Sequence, residues 1–381
     1  MTLFQDTGGD PRVASAQLAA VLAWYGALGD AAFGNPPGFA LRKASLAVEL
    51  AAMGDEGSVE TGPLYFAGLL HAIGTVGNAA YRKGEDISER AARMERWDIP
   101  AMGARLAAGI TALPEATPDL IRWQSECWDG TGYPDQLRWH GIPQTAQFLA
   151  LADAYVRASD PEEALGAIGL QSGRAFGPEN TRRFTTWFHL NAGEESAVEM
   201  PAAVLRPEDA IADRLLETIA DRLDEHNGVP GRWRRIDSLA AAAGRALGIG
   251  AAAERALAIA VRVFGAGELH AAAVEDSEFD PLARLGIEHR AANAAAAAAL
   301  VEPISLLREA APIVAARSEW YDGSGKPDGL RNGAIPAAAH ILAAAIACDR
   351  LERIGRLETA AGTQFDPRVA RALLEAAQAR A

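Results

Sequence analysis

The segment SECWDGTGYPD lies at residues 125–135, and a related segment, SEWYDGSGKPD, lies at residues 318–328. The offset between the two segments is 193 residues (318 minus 125). The same offset carries Ser45-Leu46-Ala47, far upstream, onto Ser238-Leu239-Ala240. A constant offset over so long a stretch is hard to obtain by chance, so the chain is predicted to contain two copies of one structural unit.

The residues around these segments have the apolar spacing of helices, as at Leu46, Leu50 and Met53. Alanine, the best intrinsic helix former, is abundant, and alternating runs typical of strands are rare. The sequence therefore predicts an all-α fold of two tandem helical domains. We place the first domain at residues 11–192, a linker at 193–207, and a second, more divergent domain at 208–381.

The composition of the chain restricts its partners and its compartment. The 381 residues include 36 Lys and Arg against 50 Asp and Glu, which gives a net charge of -14. Such a chain repels phosphate backbones, which argues against binding to nucleic-acid polymers or to an anionic membrane. The sequence shows no secretory signal, no apolar run long enough to span a bilayer and no CxxC pattern, so we expect a cytoplasmic protein.

The first repeated segment carries a family resemblance. The run WDGTGYP at 128–134, then Gly141-Ile142-Pro143, then an apolar helix containing Asp153, resembles the signature of the HD-GYP domain. His71 stands where that family has its His-Asp pair. The resemblance implies membership of the HD superfamily of metal-dependent phosphohydrolases. Its intact members are all-helical phosphodiesterases that cleave cyclic dinucleotides, chiefly cyclic di-GMP.

The metal ligands that the resemblance implies are mostly missing from this chain. A cluster of catalytic metals needs several His and Asp ligands from different helices. In the first copy Ala72 follows His71, so the bridging carboxylate is absent, and only His71 and Asp153 remain as candidate ligands. In the second copy the offset places Phe264 and Ile346 at those two positions. We therefore expect a degenerate site that holds no cofactor; a divalent iron, manganese or zinc ion is expected only if the protein is an enzyme.

The two glycine-rich loops are the other candidate sites. The first comprises Asp129, Gly130, Gly132, Tyr133 and Pro134, and the second comprises Asp322, Gly323, Gly325, Lys326 and Pro327. The carboxylates in both loops oppose a bound anion, which favours a structural or protein-contact role over a phosphate cradle. In the family this loop is associated with GGDEF-type signalling domains, so the resemblance implies a partner of that kind. We expect Tyr133 to be an exposed contact residue, and self-association of the chain stays open.

These observations favour a non-catalytic regulatory or scaffold protein in cyclic di-GMP-type signalling. Two alternatives remain open at this stage. One is a metal-dependent phosphohydrolase or cyclic di-GMP phosphodiesterase with a reduced site built on His71 and Asp153. The other is a nucleotide-binding sensor without turnover. Metal content and a hydrolysis assay separate the three.

Overall fold

The fold is given by a computed structural model, which describes residues 3, 10–53, 60–76, 98–191, 198, 200–202, 205, 211–269, 283–349 and 354–378. Over these residues the backbone forms helices and turns and contains no strand, apart from two isolated bridges, Ser172 with Phe176 and Ala361 with Phe365. The predicted all-α class is confirmed.

The first half of the chain contributes helices α1 to α8 among the described residues. They are α1 (Pro11–Phe33), α2 (Phe39–Ala52), α3 (Thr61–Leu69), α4 (Asp98–Ala108), α5 (Thr117–Trp123), α6 (Gln144–Arg157), α7 (Pro161–Leu170) and α8 (Pro178–Leu190). Short 3-10 turns lie at Ile73–Thr75 and Trp139–Gly141.

The second half contributes helices α9 to α16 in the same order. They are α9 (Ile211–His226), α10 (Arg232–Leu247), α11 (Ala251–Val263), α12 (Ala283–Val301), α13 (Ala311–Ala315), α14 (Ala337–Cys348), α15 (Ile354–Thr359) and α16 (Pro367–Gln378). Its 3-10 turns include Phe264–Leu269 and Asn332–Ala334. The turn Asn332–Ala334 begins and ends 193 residues after the turn Trp139–Gly141. The repeat seen in the sequence is therefore also a repeat of structure.

The contacts of the chain divide it into two compact units, one with α1 to α8 and one with α9 to α16, and Ala212 begins the helical part of the second. The predicted linker at 193–207 lies mostly outside the described residues. Its boundaries, and those of the domains at 11–192 and 208–381, therefore stay a prediction.

The core of the first unit is built around α2, which packs against both α3 and α6. Leu46 and Leu50 of α2 are fully buried, as their helical spacing predicts. Gly68 of α3 lies directly against Ala44 of α2, where a side chain would collide with the Ala44 backbone. The packing of α2 on α6 brings polar residues of these two helices together in the interior.

The junction between the first two helices of each unit is fixed by a buried carboxylate. Asp30 of α1 accepts the backbone N–H of Ala40 at 2.8 Å, and Asp224 of α9 accepts that of Trp233 at 2.8 Å. Each carboxylate thereby satisfies a free N–H at the start of the next helix. Within the described residues, no helix is both long enough and apolar enough to cross a membrane.

Candidate functional site

The first glycine-rich loop is held by a buried glutamate that the sequence analysis did not single out. The carboxylate of Glu126 accepts the backbone N–H of Asp135 at 2.7 Å and that of Leu137 at 3.0 Å. Gly132 packs on the backbone of Glu126 and Cys127, where a Cβ would clash. The glycine is therefore needed for close approach of two chain segments and not for contact with a ligand.

The second loop repeats this arrangement residue by residue. Glu319 accepts the N–H of Asp328 at 2.6 Å and that of Leu330 at 3.0 Å, and Gly325 packs on the backbone at Trp320. The prediction that the two loops are structurally equivalent is confirmed. The signal for Glu126 was present in the sequence, because a glutamate stands at the same place in both copies.

The remaining residues of the two loops make local contacts, and one of them, Tyr133, is less exposed than the sequence analysis predicted. Asp129 and Asp322 each accept hydrogen bonds within their own loop, from Thr131 and Ser324 at 2.6 Å. Gly130 and Gly323 have φ values of +81° and +84°, which favour glycine. Pro134 and Pro327 close the loops, and Lys326 is exposed. Tyr133, expected to be exposed, is half-buried, because the loop folds back over Glu126.

His71 lies in the interior of the first unit with both ring nitrogens engaged. Its Nδ1 lies 3.1 Å from the carbonyl oxygen of Gly68, and its Nε2 lies 3.3 Å from the Asn35 amide nitrogen. This geometry assigns the proton to Nδ1, which donates, and leaves Nε2 to accept from Asn35. Burial, helped by the nearby Lys43 charge, holds the pKa of His71 well below its usual range, so the imidazole is neutral.

Asp153, the other candidate ligand, is held between two cations. Lys43 Nζ donates to Asp153 Oδ1 at 2.9 Å, and Arg157 Nε donates to Asp153 Oδ2 at 2.9 Å. Burial raises the pKa of Asp153, but the charges of Lys43 and Arg157 outweigh it and hold that pKa well below its usual range. Both carboxylate oxygens therefore already have a cationic partner.

Lys43 of α2 connects Asp153 to the segment that carries His71. Its side chain is 2% exposed, and its Nζ also donates to Gln124 Oε1 at 2.7 Å. Gln124 in turn donates to the carbonyl oxygen of His71 at 3.0 Å. Burial lowers the pKa of Lys43, and the carboxylate of Asp153 opposes that shift. We name Lys43, Gln124, Asp153 and Arg157 the first polar centre.

The residues of the first polar centre do not fit a divalent metal. Ammonium and guanidinium groups carry no lone pair for a metal, and here they occupy the carboxylate that would be a ligand. A divalent site normally takes at least three protein donors. Across the described part of the chain, no group of three or more His, Cys, Asp or Glu side chains is arranged to hold an ion.

The second unit fills the same position with a different set of charges. Phe264 takes the place of His71, and Arg317 Nη1 donates to the Phe264 carbonyl oxygen at 2.5 Å, as Gln124 does to His71. Arg232 lies over the Phe264 ring at 5.0 Å and contacts Glu268 at 3.3 Å. Burial lowers the pKa of Arg317 to about 10. Ile346, at the position of Asp153, provides no ligand.

Comparison with known proteins agrees with this architecture. A family model described as the HD domain matches residues 31–176 and again residues 214–370. A cyclic di-GMP phosphodiesterase of Vibrio cholerae is 32% identical over 101 residues, which cover 24% of this chain and 20% of that protein. The chain thus matches about a fifth of the length of this curated relative.

One solved structure is similar to this chain over nearly its whole length. The crystal structure of a cyclic GMP-AMP-specific phosphodiesterase from V. cholerae superimposes with a TM-score of 0.65 at 18% identity, covering 95% of this chain and 97% of that one. At that identity the likeness concerns the fold. The two matched regions, the equivalent loops and the duplicated helices show that the chain belongs to the HD domain family and carries the domain twice in tandem.

Proposed function

We propose that this chain is a non-catalytic HD-domain protein that serves as a regulator or scaffold in cyclic-dinucleotide signalling. The observation that carries the proposal is the contact between Lys43 Nζ and Asp153 Oδ1 at 2.9 Å. It places a fixed ammonium group on the carboxylate that the family pattern assigns to a metal.

The physical argument concerns what a phosphodiesterase centre has to do. A metal in such a centre activates water and neutralises the developing charge of the phosphodiester. To bind one, Asp153 would first have to release both Lys43 and Arg157. Lys43 would then be a buried, unpaired ammonium, and leaving a buried charge without its partner costs about 3–5 kcal/mol.

The second unit supports the same proposal independently. Its corresponding position holds the Phe264 ring beneath the guanidinium of Arg232, with Arg317 bonded to the Phe264 backbone. The two units have reached different charge arrangements around one shared backbone framework. This pattern is expected when a framework is retained while the chemistry it once held is not.

The signalling part of the proposal rests on the loops and on the relatives. Both relatives described above are named as cyclic-dinucleotide phosphodiesterases, and this chain retains the framework of their family. Glu126 and Glu319 accept equivalent backbone hydrogen bonds from Asp135 and Asp328, so the two loops share one framework. A preformed loop is suited to protein contact, and we propose a GGDEF-type signalling protein as the partner of the loop at 129–134.

The test is a hydrolysis and binding assay with cyclic di-GMP and cyclic GMP-AMP, in buffers supplied separately with manganese, iron and zinc. The V. cholerae cyclic di-GMP phosphodiesterase serves as the active control. We expect no hydrolysis above buffer by this chain while the control turns over. Binding without turnover would favour the alternative of a nucleotide-binding sensor over a scaffold. Metal-dependent hydrolysis that is lost in Asp153→Asn would overturn the proposal of a non-catalytic protein.

A further inference from the structure

We propose that the protein self-associates by inserting Trp139 of one copy of the chain into a cavity between α6 and α7 of a second copy. The proposal goes beyond the function proposed above and does not depend on it. It rests on an exposed aromatic side chain, a cavity of matching character and the charges that surround each.

Trp139 is exposed, and the turn that contains it can be formed by other residues. Its side chain is 59% exposed, its φ is +50°, and its N–H donates to the carbonyl oxygen of Trp128 at 3.0 Å. In the second unit Asn332 forms the same turn with a φ of +46° and donates to Tyr321 at 3.1 Å. Asparagine is among the residues that tolerate a positive φ best. The turn itself therefore gives no reason for a tryptophan.

An exposed tryptophan held in this way has the properties of a contact residue. Its ring would bury a large apolar area in a partner, and its backbone is already fixed by the turn. Tryptophan is enriched among the residues that dominate binding energy at protein interfaces. The second unit, with Asn332 in the same turn, provides an internal comparison in which the frame is kept and the anchor is absent.

The first unit also contains a cavity that can receive such a ring. Its volume is about 370 Å³, within the range of pockets that bind small organic groups. The cavity lies between the end of α6 and the length of α7. Its apolar wall is formed by Ala154, Ala158, Ala164, Ala167, Ile168 and Phe176. The small alanine side chains leave the space that an indole would fill.

The charges at the two surfaces are complementary. Arg138, directly before Trp139, is exposed and carries a positive charge. Glu163 lines the cavity, and Asp160 and Glu162 are exposed beside it at the start of α7. Arg157 also lines the cavity, but its charge is engaged by Asp153 and its guanidinium already lies over the Phe39 ring at 4.8 Å, so the positive charge of Arg157 does not offset the acidic rim.

A second copy of the chain is the occupant that these features favour. The rim of the cavity carries Glu163, with Asp160 and Glu162 beside it, so an occupant has to bring local positive charge. Trp139 with the neighbouring Arg138 supplies an aromatic anchor beside a positive charge on the same molecule. One chain thus presents both halves of the contact.

The experiment is sedimentation velocity on the full-length chain from micromolar to near-millimolar concentration, at low and high salt. We expect reversible association that weakens with salt. Trp139→Asn, which copies the second unit, and Ala167→Trp, which fills the cavity from an exposed position, should each raise the dissociation constant by about 30-fold or more. Leu190→Asn, at another exposed apolar residue, is the matched control and should associate like the wild type.

Circular dichroism and thermal melting confirm that each variant is folded before association is measured. The proposal is overturned if the wild-type chain stays monomeric over the whole range. It is equally overturned if Trp139→Asn associates like the wild type. If only Ala167→Trp abolishes association, the cavity receives a group other than Trp139, and the proposal is overturned as well.

Discussion

Lys43 and Asp153 are separated by more than a hundred residues in the sequence, yet their side chains meet at 2.9 Å between α2 and α6. Asp153 stands where the resemblance to the HD-GYP domain implies a metal ligand. The ammonium group of Lys43 supplies the positive charge that the carboxylate of Asp153 requires in this position.

Lys43→Met is expected to lower the free energy of unfolding by about 2–4 kcal/mol. This is less than the usual cost of breaking a buried ion pair, because the side chain of Asp153 is 27% exposed and solvent screens its charge. Asp153→Asn should cost a similar amount, since it leaves Lys43 buried without a counter-charge. The double variant should recover part of the loss, which urea denaturation would measure as a coupling energy. Lys326→Met, at an exposed lysine, is the control, and purely additive losses would contradict the pairing.

Asp30 makes the stability of the protein depend on pH. Burial, as the largest cause, raises its pKa from 3.8 to about 6, so the folded state binds more protons than the unfolded chain between those values. The free energy of unfolding contributed by Asp30 therefore falls as pH rises from about 4 through 6. Asp30→Asn should remove this slope. Its amide oxygen can still accept from Ala40, but its amide nitrogen replaces the oxygen that accepts from Asn35, so the slope and not the absolute stability is the readout.

Melting temperatures measured at half-unit steps of pH test this expectation. Asp224 has the same geometry in the second unit and a pKa also raised to about 6 by burial, so Asp224→Asn should act in the same direction. Asp119→Asn, at an exposed carboxylate, provides the reference curve. A slope that is unchanged in Asp30→Asn would refute the assignment.

Glu126→Ala should loosen the first loop without unfolding the unit. The substitution leaves the N–H groups of Asp135 and Leu137 without their acceptor, which costs about 1–3 kcal/mol. Hydrogen exchange should show faster exchange of these two amides, while the corresponding amides at Asp328 and Leu330 are unaffected. Glu319→Ala should give the mirror-image pattern, and equal protection in all three proteins would contradict the role assigned to these glutamates.

Tyr133→Ala tests whether the first loop is a contact surface for a GGDEF-type protein. Because Tyr133 is half-buried, we expect a small loss of stability together with a weaker complex, by about 10-fold or more in affinity. Isothermal titration calorimetry with a purified GGDEF domain measures the second effect. Lys326→Ala in the second loop should leave the affinity unchanged. An unaltered complex in Tyr133→Ala would remove this loop from the proposed interface.

The sequence was sufficient to predict the helical class, the duplication and the equivalence of the loops, because these follow from periodicity and from a constant offset between local segments. It also led to the prediction that most of the metal ligands are missing, and this stays a prediction. It did not indicate what replaces them. Lys43, Gln124 and Asp153 lie far apart in the chain and meet only through helix packing. Arg157 was in principle visible, since it stands four residues after Asp153 on one helix.

The exposure of the loop residues also could not be predicted from the sequence. Tyr133 lies in a glycine-rich loop and was expected to be exposed, but Glu126 draws the loop inward. Trp139 is 59% exposed, and its backbone is held in the turn by the hydrogen bond from its N–H to the carbonyl oxygen of Trp128. In both cases the decisive factor is a contact with a residue elsewhere in the loop, which composition and spacing do not reveal.

The most direct measurement of the central claim is the metal content of the purified, untagged protein, determined by mass spectrometry after growth in medium enriched with iron, manganese and zinc. The account predicts far less than one equivalent of any of these metals per chain, and a melting temperature unchanged by a chelator. One or more equivalents that survive gel filtration, and whose removal lowers the melting temperature, would contradict it.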